Sequence, residues 1–272
     1  MNRERYVDVR KKKIQEKLLL SLYGSESPIT IFDIGACEGL NAIRYSEMFP
    51  NSTVYAVEPR KDNIGLIFKY LKEYETKNVN VVELCFSDKV GTSEFHVSSS
   101  ERANGEWDLG NKSSSLLPPD KHHEEFPWIK FDETIEVETT TLDDFCDQNK
   151  IDHIEFIHMD VQGAEMMVLN GASKMIQNLD AIWLEVEVVS LYKNQPLKNE
   201  IEKFFKKWGF VKIADTINFV SGDQFWIKKE VLDTKKSKAW QRRRFFAMRL
   251  KMLEKKRQGA WDEFRKMIGI KK

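Results

Sequence analysis

Short apolar runs, several closed by an acidic residue or a glycine, alternate along this chain with helix-length segments. That alternation points to βαβ units and a parallel sheet. The runs fall at residues 29–34, closed by Gly35; at 54–57, closed by Glu58; and at 79–86, closed by Ser87-Asp88. Two more fall at 154–159, closed by Asp160, and at 181–188. Helices are expected at 7–22, 40–48, from about 60 to Tyr74, 142–148, 164–178 and 197–208. A last pair at 210–213 and 224–227 reads as a β-hairpin. The expectation is a Rossmann-like α/β fold with a seven-stranded, mostly parallel sheet and an antiparallel edge hairpin. Ligands of such sheets sit at the carboxyl ends of the strands, near the switch in strand order.

The alternation pauses at 89–140, a stretch with a Ser113-Ser114-Ser115 run, Pro118-Pro119 and two short β-like pieces at 95–97 and 134–139. Insertions of this length usually serve as lids or binding loops. The organisation is therefore an N-terminal helical segment (1–28), a sheet domain carrying that insertion (29–228) and a helical tail (229–272). Net charge is zero, but residues 228–272 hold 17 Lys/Arg against 5 Asp/Glu, so an acidic body carries a basic tail. Cys37, Cys85 and Cys146 are odd in number and widely spaced, which argues against a disulfide framework or zinc site. With a charged N-terminus and no run of roughly 20 apolar residues, the chain reads as cytoplasmic.

Five constellations carry chemistry. Asp33-x-Gly35-x-x-x-Gly39 joins a strand to a helix, with Ala36, Cys37 and Glu38 inside the loop. Gly35 allows close backbone approach, and the helix start is expected to offer free N–H groups. A dinucleotide site would want a second glycine where Cys37 stands. An acid at 33 suits the cationic amino group of an amino-acid moiety, which favours S-adenosylmethionine over NAD. Glu58, held by Pro59, can accept both ribose hydroxyls. Ser87-Asp88 is a candidate for the adenine edge. Asp160 closes a buried strand two residues before Gln162-Gly163, and its charge needs a partner. Glu185 and Glu187 share one strand face and could act as base or metal ligands. His158 reads as a satisfied core histidine, and no metal is expected.

These blocks, in this order, resemble the FkbM family of methyltransferases: Phe32-Asp-Ile-Gly-Ala36, Val57-Glu-Pro59, Ser113-Ser-Ser-Leu-Leu117, Thr140-Thr-Leu-Asp-Asp-Phe145, Met159-Asp-Val-Gln-Gly-Ala-Glu165, Val168-Leu-Asn-Gly-Ala172 and Glu185-Val-Glu187 with Leu191-Tyr-Lys-Asn-Gln-Pro-Leu197. The resemblance implies a class I methyltransferase fold, S-adenosylmethionine as cofactor and methyl transfer to a hydroxyl oxygen. Acceptors of that kind are sugars of surface polysaccharides or glycolipids, with polyketide or lipid hydroxyls as the alternative. It assigns cofactor contacts to Asp33, Gly35, Ala36, Glu58 and Asp160. Cys37-Glu38 departs from the family's smaller residues and leaves the methionine-end contacts open.

A hydroxyl nucleophile needs a general base, and Asp160 and Glu187 are the candidates, with His122 behind them as an expected surface histidine. Ser113, Ser114, Ser115 and Gln162 are the expected acceptor contacts. In the tail, Phe246, Leu250, Leu253, Trp261, Phe264 and Ile268 recur at roughly helical spacing among Lys and Arg. A helix docked on protein is the simplest reading. An anionic membrane surface at the inner face is the second, and nucleic acid weighs least. A dehydrogenase and a non-catalytic cofactor-binding scaffold remain the competing classes.

Overall fold

The computed structural model describes residues 3–100 and 110–234. The expected tail helix at 236–268 lies outside these residues. Two short helices, α1 (Arg3–Val7) and α2 (Ile14–Tyr23), precede β1 (Thr30–Ile34), α3 (Leu40–Met48), β2 (Thr53–Val57), α4 (Lys61–Glu73) and β3 (Val79–Val82). The insertion follows as β4 (Cys85–Phe86), β5 (Gly91–Ser100), α5 (His122–Glu125) and β6 (Ile129–Thr140). Then come α6 (Leu142–Asn149), β7 (Ile154–Met159), α7 (Glu165–Asn170), β8 (Leu179–Glu187), α8 (Lys198–Lys207), β9 (Phe210–Asp215), β10 (Ser221–Lys228) and α9 (Lys229–Asp233).

The main sheet has seven strands in the order β3-β2-β1-β7-β8-β10-β9. The first five are parallel, and β10 runs antiparallel to both β8 and β9. Strand order therefore switches between β1 and β7. Side chains alternate across the sheet. Phe32, Ile34, Ile157 and Met159 meet Phe145, Val168 and Phe205 on one face. Ile31, Phe156 and Phe225 meet Leu19, Ala42 and Tyr45 on the other. Both faces are covered, as a mostly parallel sheet requires.

Three expectations are corrected. The helix expected at 7–22 is two helices. Between them Arg44, buried on α3, spends its guanidinium on the Tyr6, Asp8 and Lys11 carbonyls and on Glu16. Those carbonyls accept from Arg44, so the break is satisfied by charge-assisted bonds. The strand expected at 79–86 splits after Val82, because β2 ends at Val57, its register partner. Cys85-Phe86 pairs instead with Thr139-Thr140 in a second, three-stranded sheet, β4-β6-β5. The helix expected at 164–178 stops at Gly171, where a Cβ would lie 2.1 Å from the Ser87 carbonyl oxygen. A separate 3-10 turn, Met175–Asn178, begins where Asp143 accepts from the Lys174 and Met175 N–H groups.

Candidate functional site

The switch point brings two strand ends together. The Asp160 N–H donates to the Ile34 carbonyl at 3.0 Å. Gly35 follows with φ of +80°, and a Cβ there would sit 1.9 Å from the Asp160 carbonyl oxygen. Only glycine combines that conformation with that contact. Two cavities open from this point and share Gly35, Cys37, Lys112 and Asp160.

The first runs over Glu58 and Pro59 to Leu84, Phe86, Asn63, Asn111 and Ala164. Glu58 is 4% exposed and accepts from the Cys37 N–H at 2.9 Å and the Arg60 N–H at 3.0 Å. Burial pushes its pKa up to about 7, against the pull of those donors. The Asn111 amide donates to Asn63 Oδ1 at 2.6 Å, while its own Oδ1 is buried without a partner among the described residues. A buried orphan acceptor costs about 1–3 kcal/mol, so this wall fits a ligand that donates, such as an adenine amino group. The second cavity is bounded by Tyr6, Ala36, Glu38, Leu40 and Asn41.

Other expected site residues lie elsewhere. Asp33 is buried beneath the loop. It accepts from the Ala42 N–H at 3.0 Å and lies 3.0 Å from Nδ1 of buried His158. Asp33 thus braces the loop and α3 and borders neither cavity. Glu38 pairs with Arg3 at 2.7 Å and 3.0 Å. The loop N–H groups are spent, Gly35 and Ala36 on Val57 O, Cys37 on Glu58 and Gly39 on Ala36 O, while of the first N–H groups of α3 Ala42 donates to Asp33. Ser87 and Asp88 lie outside both cavities, because the chain leaves the main sheet before reaching them. Leu84, Cys85 and Phe86 line the wall instead.

The serine run ties the insertion down. Ser114 Oγ accepts from the Ser98 N–H and from Arg60, and the buried Ser115 donates to Gln162 O at 2.8 Å. Ser113 O accepts from the Tyr192 hydroxyl at 2.7 Å. His122, expected at the surface, is buried among Phe126, Phe131 and Tyr192, and burial lowers its pKa to about 4.

Around Asp160 the carboxyl groups differ sharply. Asp160 is exposed to both cavities, and the Gln162 side chain donates to it at 2.6 Å and to Glu185 at 2.8 Å. Glu187 is 2% exposed, and burial with neighbouring Glu165 and Asp160 pushes it up to about 9. It is therefore neutral near pH 7. Burial, then Asp160 and Glu187, raise Glu185 as well. Among the described residues no cluster of three or more His, Cys, Asp or Glu is placed to hold a metal, and no helix is long and apolar enough to cross a membrane.

Asn63, Asn111 and Tyr6 were not legible as site residues. Asn63 had a usable signal, since it falls in the first turn of the helix after Glu58-Pro59. Asn111 and Tyr6 reach the site through the insertion and the N-terminal segment, and no local spacing announces either.

Residues 33–212 match the Methyltransferase FkbM domain family. Over 188 residues the chain is 32% identical to the 2-O-methyltransferase NoeI of Sinorhizobium fredii (strain NBRC 101917 / NGR234), covering 66% of this chain and 72% of that protein. Among solved structures it is similar to magnesium protoporphyrin IX methyltransferase (ChlM) from Synechocystis PCC 6803 with bound SAM, at 12% identity and a TM-score of 0.45, covering 83% of this chain and 79% of that one. An rRNA methylase from Streptococcus thermophilus is similar at 10% identity and a TM-score of 0.44, covering 80% and 98%. The chain belongs to the FkbM methyltransferase family and is an S-adenosylmethionine-dependent methyltransferase.

Proposed function

We propose that the protein methylates a hydroxyl oxygen of a carbohydrate acceptor, with Asp160 taking the hydroxyl proton. The observation that carries the base assignment is the contrast between Asp160, exposed at the junction of both cavities, and Glu187, sealed and held neutral. The relative named as a 2-O-methyltransferase supports oxygen as the acceptor atom.

The cavity residues fit S-adenosylmethionine. Glu58 would take the ribose hydroxyls, Asn111 the adenine amino group, and Leu84 and Phe86 the ring. When bound, the cofactor supplies an activated methyl on a sulfonium. The chain's own contribution is alignment and proton removal. Gly35 brings the loop against Asp160, and the Gln162 amide fixes the Asp160 carboxylate through Oδ1. Ser115 and Tyr192 hold Gln162 in turn, through its carbonyl and its side-chain oxygen. Glu185 and Glu187, raised chiefly by burial and then by neighbouring carboxylates, keep the proton-accepting role on Asp160.

Methyl transfer tested against sugars, lipid hydroxyls and polyketide hydroxyls separates the acceptor classes. Turnover on a sugar hydroxyl is the expected result, and turnover confined to the other two classes removes the carbohydrate reading.

Glu58 also sets a pH dependence. Its folded pKa is raised, so the stability its protonated form contributes is present below about pH 4.5 and is lost as pH rises through about 7. Two ribose donors reverse that preference by stabilising the carboxylate. S-adenosylhomocysteine affinity should then fall by about five- to tenfold between about pH 8 and about pH 6. Calorimetry on wild type and Glu58→Gln checks this. If the slope persists in the variant, another group carries it.

A further inference from the structure

Residues 3–13 precede the family match, which begins at residue 33, yet Tyr6 of this segment lines the second cavity, and Lys13 stands behind the lining, bonded to Tyr6 and Asn41. The segment is held there by many bonds. Arg3 pairs twice with Glu38, and the Tyr6 hydroxyl donates to Asn41 Oδ1 at 2.7 Å. The Lys13 ammonium donates to the Tyr6 hydroxyl and, at 3.0 Å, to Asn41 Oδ1. Buried Arg44 grips the Tyr6, Asp8 and Lys11 carbonyls from below.

The loop beneath this segment is poor in free donors. Its first three N–H groups go to Val57 and Glu58, Gly39 donates to Ala36, and the Ala42 N–H goes to Asp33. For an anionic group lying over the loop, side-chain donors therefore add to the few N–H groups left at the start of α3. Arg3 is committed to Glu38. Lys13 uses two ammonium protons on Tyr6 and Asn41, and its third has no partner among the described residues. The Asn41 amide N–H₂ likewise has no protein partner there. Burial lowers Lys13 to about 8, which leaves it charged at neutral pH.

We propose that Lys13, Tyr6 and Asn41 form the subsite for the carboxylate of the cofactor's methionine moiety, so that the N-terminal segment completes the cofactor site. The proposal rests on the S-adenosylmethionine assignment. It also follows from polarity along the two cavities. The Glu58 and Asn111 end offers acceptors to the nucleoside, and the Asn41 end, with Lys13 bonded to Tyr6 and Asn41 behind it, offers donors to an anion.

The test compares three ligands by calorimetry on the full chain: S-adenosylhomocysteine, its decarboxylated thioether analogue, and 5′-methylthioadenosine. On wild type, removing the carboxylate should weaken binding about tenfold or more, the scale of one charge-assisted contact. Lys13→Met should weaken S-adenosylhomocysteine by about tenfold while moving 5′-methylthioadenosine less than about twofold, and Lys13→Arg should restore most of the loss. Equal weakening of all three ligands in Lys13→Met would mean a structural role and overturn the proposal. So would a wild type that binds the decarboxylated analogue as tightly as the parent, a comparison that needs no folded variant. A wild type that binds neither S-adenosylhomocysteine nor 5′-methylthioadenosine overturns the cavity assignment itself, and the subsite with it.

Discussion

Replacing Asp160 with asparagine is expected to lower kcat by about 10²–10⁴-fold, the range for loss of a positioned general base. The substitution is nearly isosteric. The amide oxygen can still accept from Gln162 Nε2, and the backbone bond to Ile34 is untouched. S-adenosylhomocysteine affinity should therefore change by no more than about tenfold, so the loss falls on turnover. Glu187→Gln should stay within about threefold of wild type, because that side chain is already neutral at pH 7. Single-turnover kinetics with saturating cofactor separates the two quantities. A deficit lying wholly in cofactor affinity would make Asp160 a binding residue and return the base to another group.

Gly35→Ala is the second large effect. A Cβ at 1.9 Å from a backbone oxygen cannot be absorbed by a side-chain rotation, since the neighbour is main chain at the end of β7. Either the loop abandons its φ of +80° or β1 and β7 part at their carboxyl ends. The combined strain is about 3 kcal/mol or more, which lowers Tm by roughly 6–12 °C. S-adenosylhomocysteine binding should fall below calorimetric detection, because the same displacement moves Cys37 away from Glu58. Gly65→Ala provides the contrast. It lies within α4 with nothing inside 4 Å of the added carbon, and should stabilise by about 0.5–1 kcal/mol. Thermal melts of both variants check the pair, and a Gly35→Ala melt near wild type would show that the loop has room to relax.

The sheet was legible because its strands are continuous apolar runs with acidic or glycine ends. The order of those ends along the chain placed Gly35, Glu58 and Asp160 at one edge. Features that depend on where a neighbouring strand stops were not legible. The bend after Val82 follows from β2 ending at Val57, and that bend carries Ser87-Asp88 away from the cavity. Asp33 shows a different limit. A carboxylate before a glycine loop reads equally as a ligand contact or a brace, and only its bond to Ala42 and its contact with His158 decide for the brace. His122 was misread because its cover, Phe126, Phe131 and Tyr192, comes from segments up to 70 positions away. Arg44 was invisible as an organiser, since one arginine on an amphipathic helix normally faces water.

The order of the last strands bears on how the chain emerges during synthesis. β9 is made before β10, yet among the described strands it pairs only with β10, which joins it to β8. Until residues 221–228 leave the ribosome, the β8 edge that will receive them keeps its backbone groups unpaired, and β9 has no place to dock. An unprotected edge beside Trp183 and Leu184 invites pairing between nascent chains. Eight residues near the end of the sheet domain thus cover the β8 edge and move the sheet's outer strand to β9.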